Sequence, residues 1–288
     1  MSPGVALRLG RVSNLPTVWT NTLAGVALAG VSPWHWAVLP ALLGLSSAYL
    51  GGMFLNDAFD RTIDARERPD RPIPSGMVDA NTVFAAAFVL LLAAVAAVSA
   101  SACAFGVAST PAALSGLALC GAIVGYNWSH KGNPISPLTM GLCRLLAYIA
   151  AGLAAAAFLS GPLLCAAVIG LCYVIGLTYV AKQERPGSIA RLWPLLFLAA
   201  PIVYGASRAE RPAAWLAVVC LACWILFSLS LMRGRRKGAV PRVVVSLIAG
   251  IALLDAMFLA LAGQTTMAPV AVLCFVATLV SQRWVRGT

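Results

Sequence analysis

A short string of acidic and amide side chains at the end of a long apolar run carries the clearest chemistry in this sequence. It reads Asn56-Asp57-Ala58-Phe59-Asp60-Arg61-Thr62-Ile63-Asp64. Five of the nine acidic residues of the chain and four arginines are interleaved between positions 57 and 71. Carboxylate and amide oxygens are ligands of Mg²⁺, and arginine pairs with phosphate oxygens through two hydrogen bonds. The pattern therefore predicts a divalent-metal site for a phosphorylated lipid.

The spacing of these residues predicts how they would be positioned. Residues four apart in an α-helix lie about one turn apart and share a face. Asn56, Asp60 and Asp64 have this spacing, and Asp57 falls close to them. If one helix continues through the string, it would stack four oxygen ligands along one face. The alternative is a solvated helix end whose acids and arginines pair with each other, and such exposed pairs contribute little stability.

The composition of the rest of the chain is that of a membrane protein. Of its 288 residues, 61% are hydrophobic and only 10% are charged, whereas a soluble domain carries about 25% charged residues. A transmembrane helix needs about 20 apolar residues. The expected spans are 13–31, 34–56, 79–102, 110–127, 135–157, 160–181, 189–206, 211–232, 241–262 and 267–283. The sequence thus predicts an all-α, polytopic membrane bundle of nine or ten transmembrane helices, formed by a single domain over residues 1–288.

The net charge of +11 is explained by the orientation of this bundle. If the N-terminus is cytoplasmic, nearly all the basic loops fall on the cytoplasmic side, which is the usual bias of membrane proteins. The charge therefore requires no nucleic acid partner, and it favours ten spans over nine. The composition, rich in Ala, Leu and Arg, indicates a bacterial inner membrane. We expect the N-terminus and the loops that carry the acidic string to be cytoplasmic.

Three segments of the sequence together resemble one protein family. The acidic string is followed by Arg71-Pro72-Ile73-Pro74-Ser75-Gly76, and the chain opens with Arg11-x-Ser13-Asn14-x-Pro16-Thr17. These segments resemble the UbiA superfamily of intramembrane prenyltransferases. The resemblance implies a helical membrane bundle that transfers a prenyl group from a prenyl diphosphate donor to a hydrophobic or aromatic acceptor among the membrane lipids. It also implies Mg²⁺ as the cofactor, bound at two acidic motifs.

The resemblance assigns roles to individual residues. Catalytic roles fall to Asp60, Asp64 and Lys182. The expected metal ligands are Asn56, Asp57, Asp60, Asp64 and Glu184. The expected diphosphate ligands are Arg66, Arg71, Lys131 and Lys182, and the acceptor is expected near Asn14, Tyr126, Arg144 and Tyr179.

The second acidic motif departs from the family pattern. The family has two aspartates there, whereas this chain reads Tyr179-x-x-Lys182-x-Glu184. Lys182 could replace a second Mg²⁺ as a point charge on the diphosphate. Alternatively, the chain has lost the activity, or acts on a monophosphate. The second functional hypothesis is therefore a UbiA-like membrane protein that binds or carries an isoprenoid or lipid-linked substrate without prenyl transfer.

Other polar residues leave further alternatives open. A transporter would carry facing charges near the membrane midplane, and only Arg144 and Asp255 qualify. A second interpretation of Arg144 is a structural ion pair with Asp255. We expect His35 and His130 to lie at the membrane interface without a catalytic role. The sequence leaves open whether the acceptor is a hydroxybenzoate, a quinone precursor, a porphyrin, an indole-type ring or a sugar phosphate.

Overall fold

The chain is helical in the part that the structure, a computed structural model, describes: residues 1–182, 193, 195–232 and 239–285, which contain no strand. A single turn of 3₁₀ helix, Val12–Asn14, follows the first helix. The α-helices are α1 (Pro3–Leu9), α2 (Leu15–Leu28), α3 (Val38–Phe59), α4 (Arg61–Glu67), α5 (Ala80–Ala104), α6 (Ser109–Ser129), α7 (Ser136–Leu153), α8 (Gly161–Lys182), α9 (Leu195–Arg208), α10 (Pro212–Ser230), α11 (Ala239–Leu261) and α12 (Ala268–Ser281). The expected all-α class is confirmed.

Each of the ten expected spans overlaps one of these helices, but the helices differ in length. Within the described residues, seven of them (α3, α5, α6, α7, α8, α10 and α11) are long and apolar enough to cross a membrane. Helices α2, α9 and α12 have 14 residues each, which is about 21 Å of helix. The chain is an integral membrane bundle, and the count of nine or ten crossings stays a prediction.

Helix α11 lies at the centre of the bundle. Of its most apolar 18-residue stretch, 89% is buried, whereas the corresponding fraction is 28% for α5, α6 and α10. Helix α11 packs against α2, α8, α10 and α12. A helix that is apolar all round is buried in a core or in lipid, so we assign the exposed faces of α5, α6 and α10 to lipid contact.

Close packing of α3 against α5 fixes the end of α3 that carries the acidic string. A Cβ atom added at Gly44 would lie 3.0 Å from the carbonyl oxygen of Ala94, and one added at Gly51 would lie 3.0 Å from that of Ala87. Small residues allow such direct backbone contact between membrane helices. Helix α5 begins where the side chain of Asp79 accepts hydrogen bonds from the first free N–H groups of the helix. The connection between α3 and α5 is thereby anchored at both ends.

Candidate active site

The acidic string lies at a junction between two helices. Helix α3 ends at Phe59 and α4 begins at Arg61, with Asp60 between them at φ −78° and ψ −3°. The N–H of Asp60 donates to the carbonyl of Asn56 at 3.0 Å, and the N–H of Asp64 donates to the carbonyl of Asp60 at 2.9 Å. A break of one residue thus separates the two helices, but i→i−4 hydrogen bonds continue across Asp60 and the two helices follow each other directly.

The expected ligands have two different sets of partners. Asp57 and Asp64 share a partner, because one guanidinium nitrogen (Nη1) of Arg71 lies 3.2 Å from Asp57 Oδ1 and 2.6 Å from Asp64 Oδ2. Asp57 Oδ1 also accepts from Arg11 at 2.9 Å, and the same Arg11 nitrogen donates to Asn56 Oδ1 at 3.1 Å. The exposed fractions of the Asp57 and Asp64 side chains are only 8% and 4%. Two buried carboxylates are therefore compensated by two arginines, the nearby Arg71 and the distant Arg11, which is 46 residues from Asp57.

Asp60 has a different set of partners, both from the end of α6. Its Oδ2 lies 3.4 Å from His130 Nε2 and 3.3 Å from Lys131 Nζ. Burial acts to raise the pKa of the Asp60 carboxyl, but hydrogen bonds and positive charge from His130 and Lys131 outweigh burial and hold the pKa below its usual value. The ring of Tyr126 stacks on His130 with 5.0 Å between the centroids. His130, expected to be merely interfacial, therefore lies in the acidic cluster.

The loop after α4 brings Arg71 back to the acids. The N–H of Ser75 donates to the carbonyl of Arg71, and the N–H of Met77 donates to that of Pro72, both at 3.0 Å. Gly76 lies between them with φ +75°, a conformation that costs a glycine little. The Arg-Pro-Ile-Pro-Ser-Gly segment is thus a compact turn that directs the Arg71 side chain into the cluster.

An amide pair ties the acidic cluster to α6. The Nδ2 of Asn56 donates to Asn127 Oδ1 at 3.1 Å, and the Nδ2 of Asn127 donates to the carbonyls of Gly52 and Ile123 at 3.2 and 2.9 Å. Both asparagines are buried. This contact fixes the distance between the string on α3 and the His130–Lys131 corner of α6.

Two expected diphosphate ligands, Arg66 and Lys182, and the expected acceptor residue Tyr179 have other surroundings. Lys182 is exposed at the end of α8 and donates to the carbonyl of Asn133 at 2.8 Å. Arg66 is exposed on α4. Tyr179 makes an edge contact with Trp193, with 5.0 Å between the ring centroids. Glu184 lies outside the described residues.

The expected acceptor residues Asn14 and Arg144 contact different parts of α2 and its surroundings. Asn14, the last residue of the 3₁₀ turn, accepts a hydrogen bond from Gln282 of the C-terminal segment at 3.0 Å. Arg144 Nη1 donates to the carbonyl of Thr17 at 3.4 Å. No ion pair joins Arg144 to Asp255 among the described residues. The two residues therefore make no direct ion pair, although the charge of Arg144 acts on Asp255 through space, and the role of Arg144 stays a prediction.

Asp255 is instead held by hydroxyl groups. It is fully buried, and it accepts hydrogen bonds from Thr20 Oγ1 and from Tyr148 Oη, both at 2.5 Å. These three residues belong to α11, α2 and α7, so the carboxyl group joins three helices inside the bundle. Buried acids in membrane proteins are costly unless they have such partners.

Sequence reasoning assigned no role to Arg11, His130 or Asn127, although the structure places all three in the cluster. Arg11 has φ +42°, which is uncommon for a residue other than glycine. Its carbonyl accepts a hydrogen bond from Tyr49 Oη at 3.1 Å. A signal did exist for Arg11, since it opens the first of the three family-like segments, but its partner Asp57 is 46 residues away.

The donor set of the cluster suits a hard cation. Asp57, Asp60 and Asp64 offer carboxylate oxygens and Asn56 offers an amide oxygen, and Mg²⁺ prefers oxygen ligands of this kind. Among the described residues, no group of three or more His, Cys, Asp or Glu side chains converges closely enough to hold a metal ion. To bind Mg²⁺, these carboxylates would exchange their present partners, the guanidinium groups of Arg11 and Arg71 and the ammonium group of Lys131, for the metal ion. The exchange replaces one positive partner with another.

Comparison with known proteins identifies the class. The model of the UbiA prenyltransferase family matches residues 16–242. A digeranylgeranylglyceryl phosphate synthase of Methanopyrus kandleri is 28% identical over 90% of this chain and 89% of its own length. A chlorophyll synthase of Avena sativa is 38% identical over 27% of this chain and 21% of its own length.

A solved structure supports the same fold. It is described as "Structural and mechanistic insights into the biosynthesis of Digeranylgeranylglyceryl phosphate synthase in membranes", and it superposes with a TM-score of 0.62 over 91% of this chain and 98% of that chain, at 15% identity. At this identity the likeness concerns the fold alone. The chain belongs to the UbiA prenyltransferase family, and the expected enzyme class, a prenyltransferase, is confirmed.

Proposed function

We propose that this enzyme transfers a prenyl group from a prenyl diphosphate to a lipophilic acceptor in the membrane, with Mg²⁺ as its cofactor. The observation that carries the proposal is the cluster at the α3–α4 junction. There, three buried carboxylates are compensated by Arg11, Arg71 and Lys131. A magnesium diphosphate brings both positive and negative charge. Its Mg²⁺ can take the place of the basic side chains beside the carboxylates, and its phosphate oxygens can take the place of the carboxylates beside the basic side chains.

The donor headgroup would be bound by two sets of residues. Asp57, Asp60 and Asp64, with Asn56, would hold Mg²⁺, which when bound supplies positive charge to the leaving diphosphate. The released cations Arg71 and Lys131 would bind phosphate oxygens, as arginine and lysine commonly do. Arg66 and Lys182, both exposed at the same end of the bundle, are proposed to complete this set.

The reaction requires little more of the protein than charge and shape. As the bond between the prenyl carbon and the diphosphate oxygen breaks, cations stabilise the leaving group, and this is the kind of electrostatic stabilisation that contributes most in enzymes. The apolar helices would enclose the isoprenoid tail and keep water from the allylic cation. The acceptor then forms a bond to the prenyl carbon and loses a proton. We propose Asn14, Tyr126, Arg144 and Tyr179 as its surroundings.

The second motif is proposed to work with fewer acids than the family pattern. Lys182 would contribute the charge of a second cation, and Glu184 remains a proposed ligand. The names of the relatives favour a large lipophilic acceptor, since one is a digeranylgeranylglyceryl phosphate synthase and another a chlorophyll synthase. An aromatic acceptor is the narrower hypothesis from the sequence.

The orientation and setting of the enzyme are also proposals. Arg11, Arg71 and Lys131 lie beside the acidic cluster, at one end of the bundle. Because basic residues of membrane proteins are concentrated on the cytoplasmic side, we propose that the N-terminus and the active site are cytoplasmic. We further propose that residues 1–288 act as a single domain. The assignment to a bacterial inner membrane rests on composition alone.

A transfer assay tests the proposal. The purified protein is incubated with radiolabelled geranylgeranyl diphosphate and extracted membrane lipids, and labelled lipid is measured with and without Mg²⁺. We expect Asp60→Asn to abolish transfer, whereas Asp70→Asn, which removes an exposed carboxylate from the same segment, should retain it. Full activity of Asp60→Asn would refute the assignment. Binding of the donor without any product would support the carrier hypothesis instead.

A further inference from the structure

Helix α11 connects the end of the bundle that carries the acidic cluster with the opposite end. Near its start, the carbonyl of Val245 accepts a hydrogen bond from Gln282, which also donates to Asn14, three residues after Arg11 of the cluster. Helix α11 ends at Leu261, about 24 Å further along its axis. The loop after α11 therefore lies at the end of the bundle that is far from the cluster.

Tryptophan side chains mark the membrane interface at this far end. Trp34, between α2 and α3, donates to Thr266, between α11 and α12, at 3.2 Å. Trp36 in the same loop and Trp215 near the start of α10 are exposed as well. Tryptophan is enriched at the headgroup level of membranes. The loops at this end thus lie among the lipid headgroups of the leaflet opposite the acidic cluster.

A cavity of about 170 Å³ opens between the ends of α9, α10 and α11. Arg208, Glu210 and Arg211 form its charged lining, and Ala214 and the last turn of α11 form its apolar lining. The volume is several times the share of one water molecule, about 30 Å³. The three charged residues are exposed and make no ion pair among the described residues. The cavity therefore offers room and unpaired charge to a ligand.

The end of α11 accounts for one of these charges. There the N–H of Gly263 donates to the carbonyl of Ala260 at 3.1 Å, and a helix C-terminus carries partial negative charge. A Cβ atom added at Gly263 would lie 2.9 Å from Arg211 Nη1, so the Arg211 guanidinium lies against this negative end. The guanidinium of Arg208 and the carboxylate of Glu210 remain to be matched by a ligand.

We propose that this cavity binds the phosphoethanolamine headgroup of a zwitterionic phospholipid. The phosphate would contact Arg208 near the N-terminus of α10, and the primary ammonium would donate to Glu210. A quaternary ammonium has no N–H to donate and is bound by aromatic faces, whereas the described lining of the cavity contains no aromatic ring. An anionic headgroup would leave Glu210 without a positive partner.

Helix α10 provides a surface for the acyl chains of the same lipid. Its side chains Leu216, Val219 and Leu226 are more than half exposed, and their spacing places them on one face of the helix. The headgroup and the chains would then bind together, so the headgroup alone should bind more weakly than the lipid. This site lies far from the acidic cluster, and the inference does not depend on the proposed prenyl transfer.

Thermal unfolding of the full chain in detergent tests the site. The titrated lipids are dioctanoyl phosphatidylethanolamine, phosphatidylcholine and phosphatidylglycerol, which share their acyl chains and differ in the headgroup. Glycerophosphoethanolamine supplies the headgroup without chains. Arg208→Gln and Glu210→Gln each remove one charge from the cavity. Arg68→Gln and Glu67→Gln make the same changes at exposed positions near the acidic cluster and are the controls.

We expect the ethanolamine lipid to stabilise the wild type at about 5- to 10-fold lower concentration than the other two lipids, the effect of one charge-assisted hydrogen bond. Glu210→Gln should abolish this preference, and Arg208→Gln should weaken the binding of all three lipids. The controls should titrate like the wild type. Because both cavity variants change exposed side chains, their midpoints without lipid should equal those of the controls.

Four results would overturn the proposal. The first is equal stabilisation of the wild type by the three lipids, and the second is an unchanged preference in Glu210→Gln. A stronger effect of the glycerol lipid would indicate a site for anionic lipid instead. Equal binding of glycerophosphoethanolamine and the ethanolamine lipid would indicate a site for a soluble phosphodiester.

Discussion

Replacing Arg71 with methionine separates the structural role of the arginines from their proposed role in substrate binding. Arg71 bonds both Asp57 and Asp64. After the substitution, Asp57 keeps Arg11 at 2.9 Å, whereas Asp64 retains no ion-pair partner among the described residues. Removing one partner of a buried ion pair costs about 3–5 kcal/mol. The Arg71 side chain is 16% exposed and water can partly replace it, so we expect a loss of about 2–3 kcal/mol without Mg²⁺.

The assay is thermal unfolding in detergent, with EDTA or with Mg²⁺. A loss of this size corresponds to a midpoint about 4–12 °C lower for a chain of this size. If Asp64 is a metal ligand, Mg²⁺ should restore part of the midpoint, because the ion replaces the missing guanidinium. Arg66→Met is the control, since it removes the same charge from an exposed position on α4 and should change stability by less than about 0.5 kcal/mol.

Two results would contradict this reasoning. If Arg71→Met unfolds at the same temperature as Arg66→Met in EDTA, the contacts of Arg71 with Asp57 and Asp64 do not stabilise the fold. If Mg²⁺ shifts the midpoint of Arg71→Met no more than that of Arg66→Met, the ion does not bind beside Asp64. The first result would question the geometry of the cluster, and the second would question its assignment as a metal site.

Three other substitutions test further parts of the account. Asp255→Ala leaves the hydroxyls of Thr20 and Tyr148 unpaired and should cost about 2–4 kcal/mol of unfolding free energy, with Asp255→Asn costing less; thermal midpoints equal to the wild type would contradict this. Lys182→Ala should weaken binding of a prenyl diphosphate about 10-fold, the effect of about 1.4 kcal/mol, and an unchanged titration curve would remove Lys182 from the site. The folded pKa of Asp60 lies below its usual value, so the unfolded chain takes up the proton first. The stability from Asp60 is therefore present above about pH 4 and lost as the pH falls further; Asp60→Asn should show a flatter midpoint profile there in Mg²⁺-free buffer.

The membrane helices could be predicted from the sequence because hydropathy is a local property. Each expected span overlaps a helix, and α3 (Val38–Phe59) and α5 (Ala80–Ala104) begin and end within four residues of the expected spans 34–56 and 79–102. Helix α9 (Leu195–Arg208) falls on the second part of the expected span 189–206, and residues 189–192 and 194 of that span lie outside the described residues. Hydropathy gives no information on which helices are central, and the burial of α11 follows from packing alone.

The chemistry of the site could be predicted only in part. The acidic string itself was evident, because scarce charges at fixed spacing stand out in an apolar chain. Its partners Arg11 and Lys131 come from the turns after α1 and α6, far from the string along the chain, and no local pattern reveals such contacts. The break at Asp60 was missed for a related reason: helical spacing continues across it, and only the backbone shows that α3 ends there. Asp255 was evident as a buried acid, yet its hydroxyl partners Thr20 and Tyr148 are ordinary residues of apolar helices.

The central claim is that the acidic cluster binds the diphosphate of the donor through Mg²⁺. The most direct test is thermal stabilisation of the purified protein by a non-hydrolysable prenyl diphosphate, with and without Mg²⁺, for the wild type and for Asp60→Asn. We predict stabilisation of the wild type that requires Mg²⁺ and is absent in Asp60→Asn. Stabilisation that survives in Asp60→Asn or without Mg²⁺, or no stabilisation of the wild type at all, would contradict the claim.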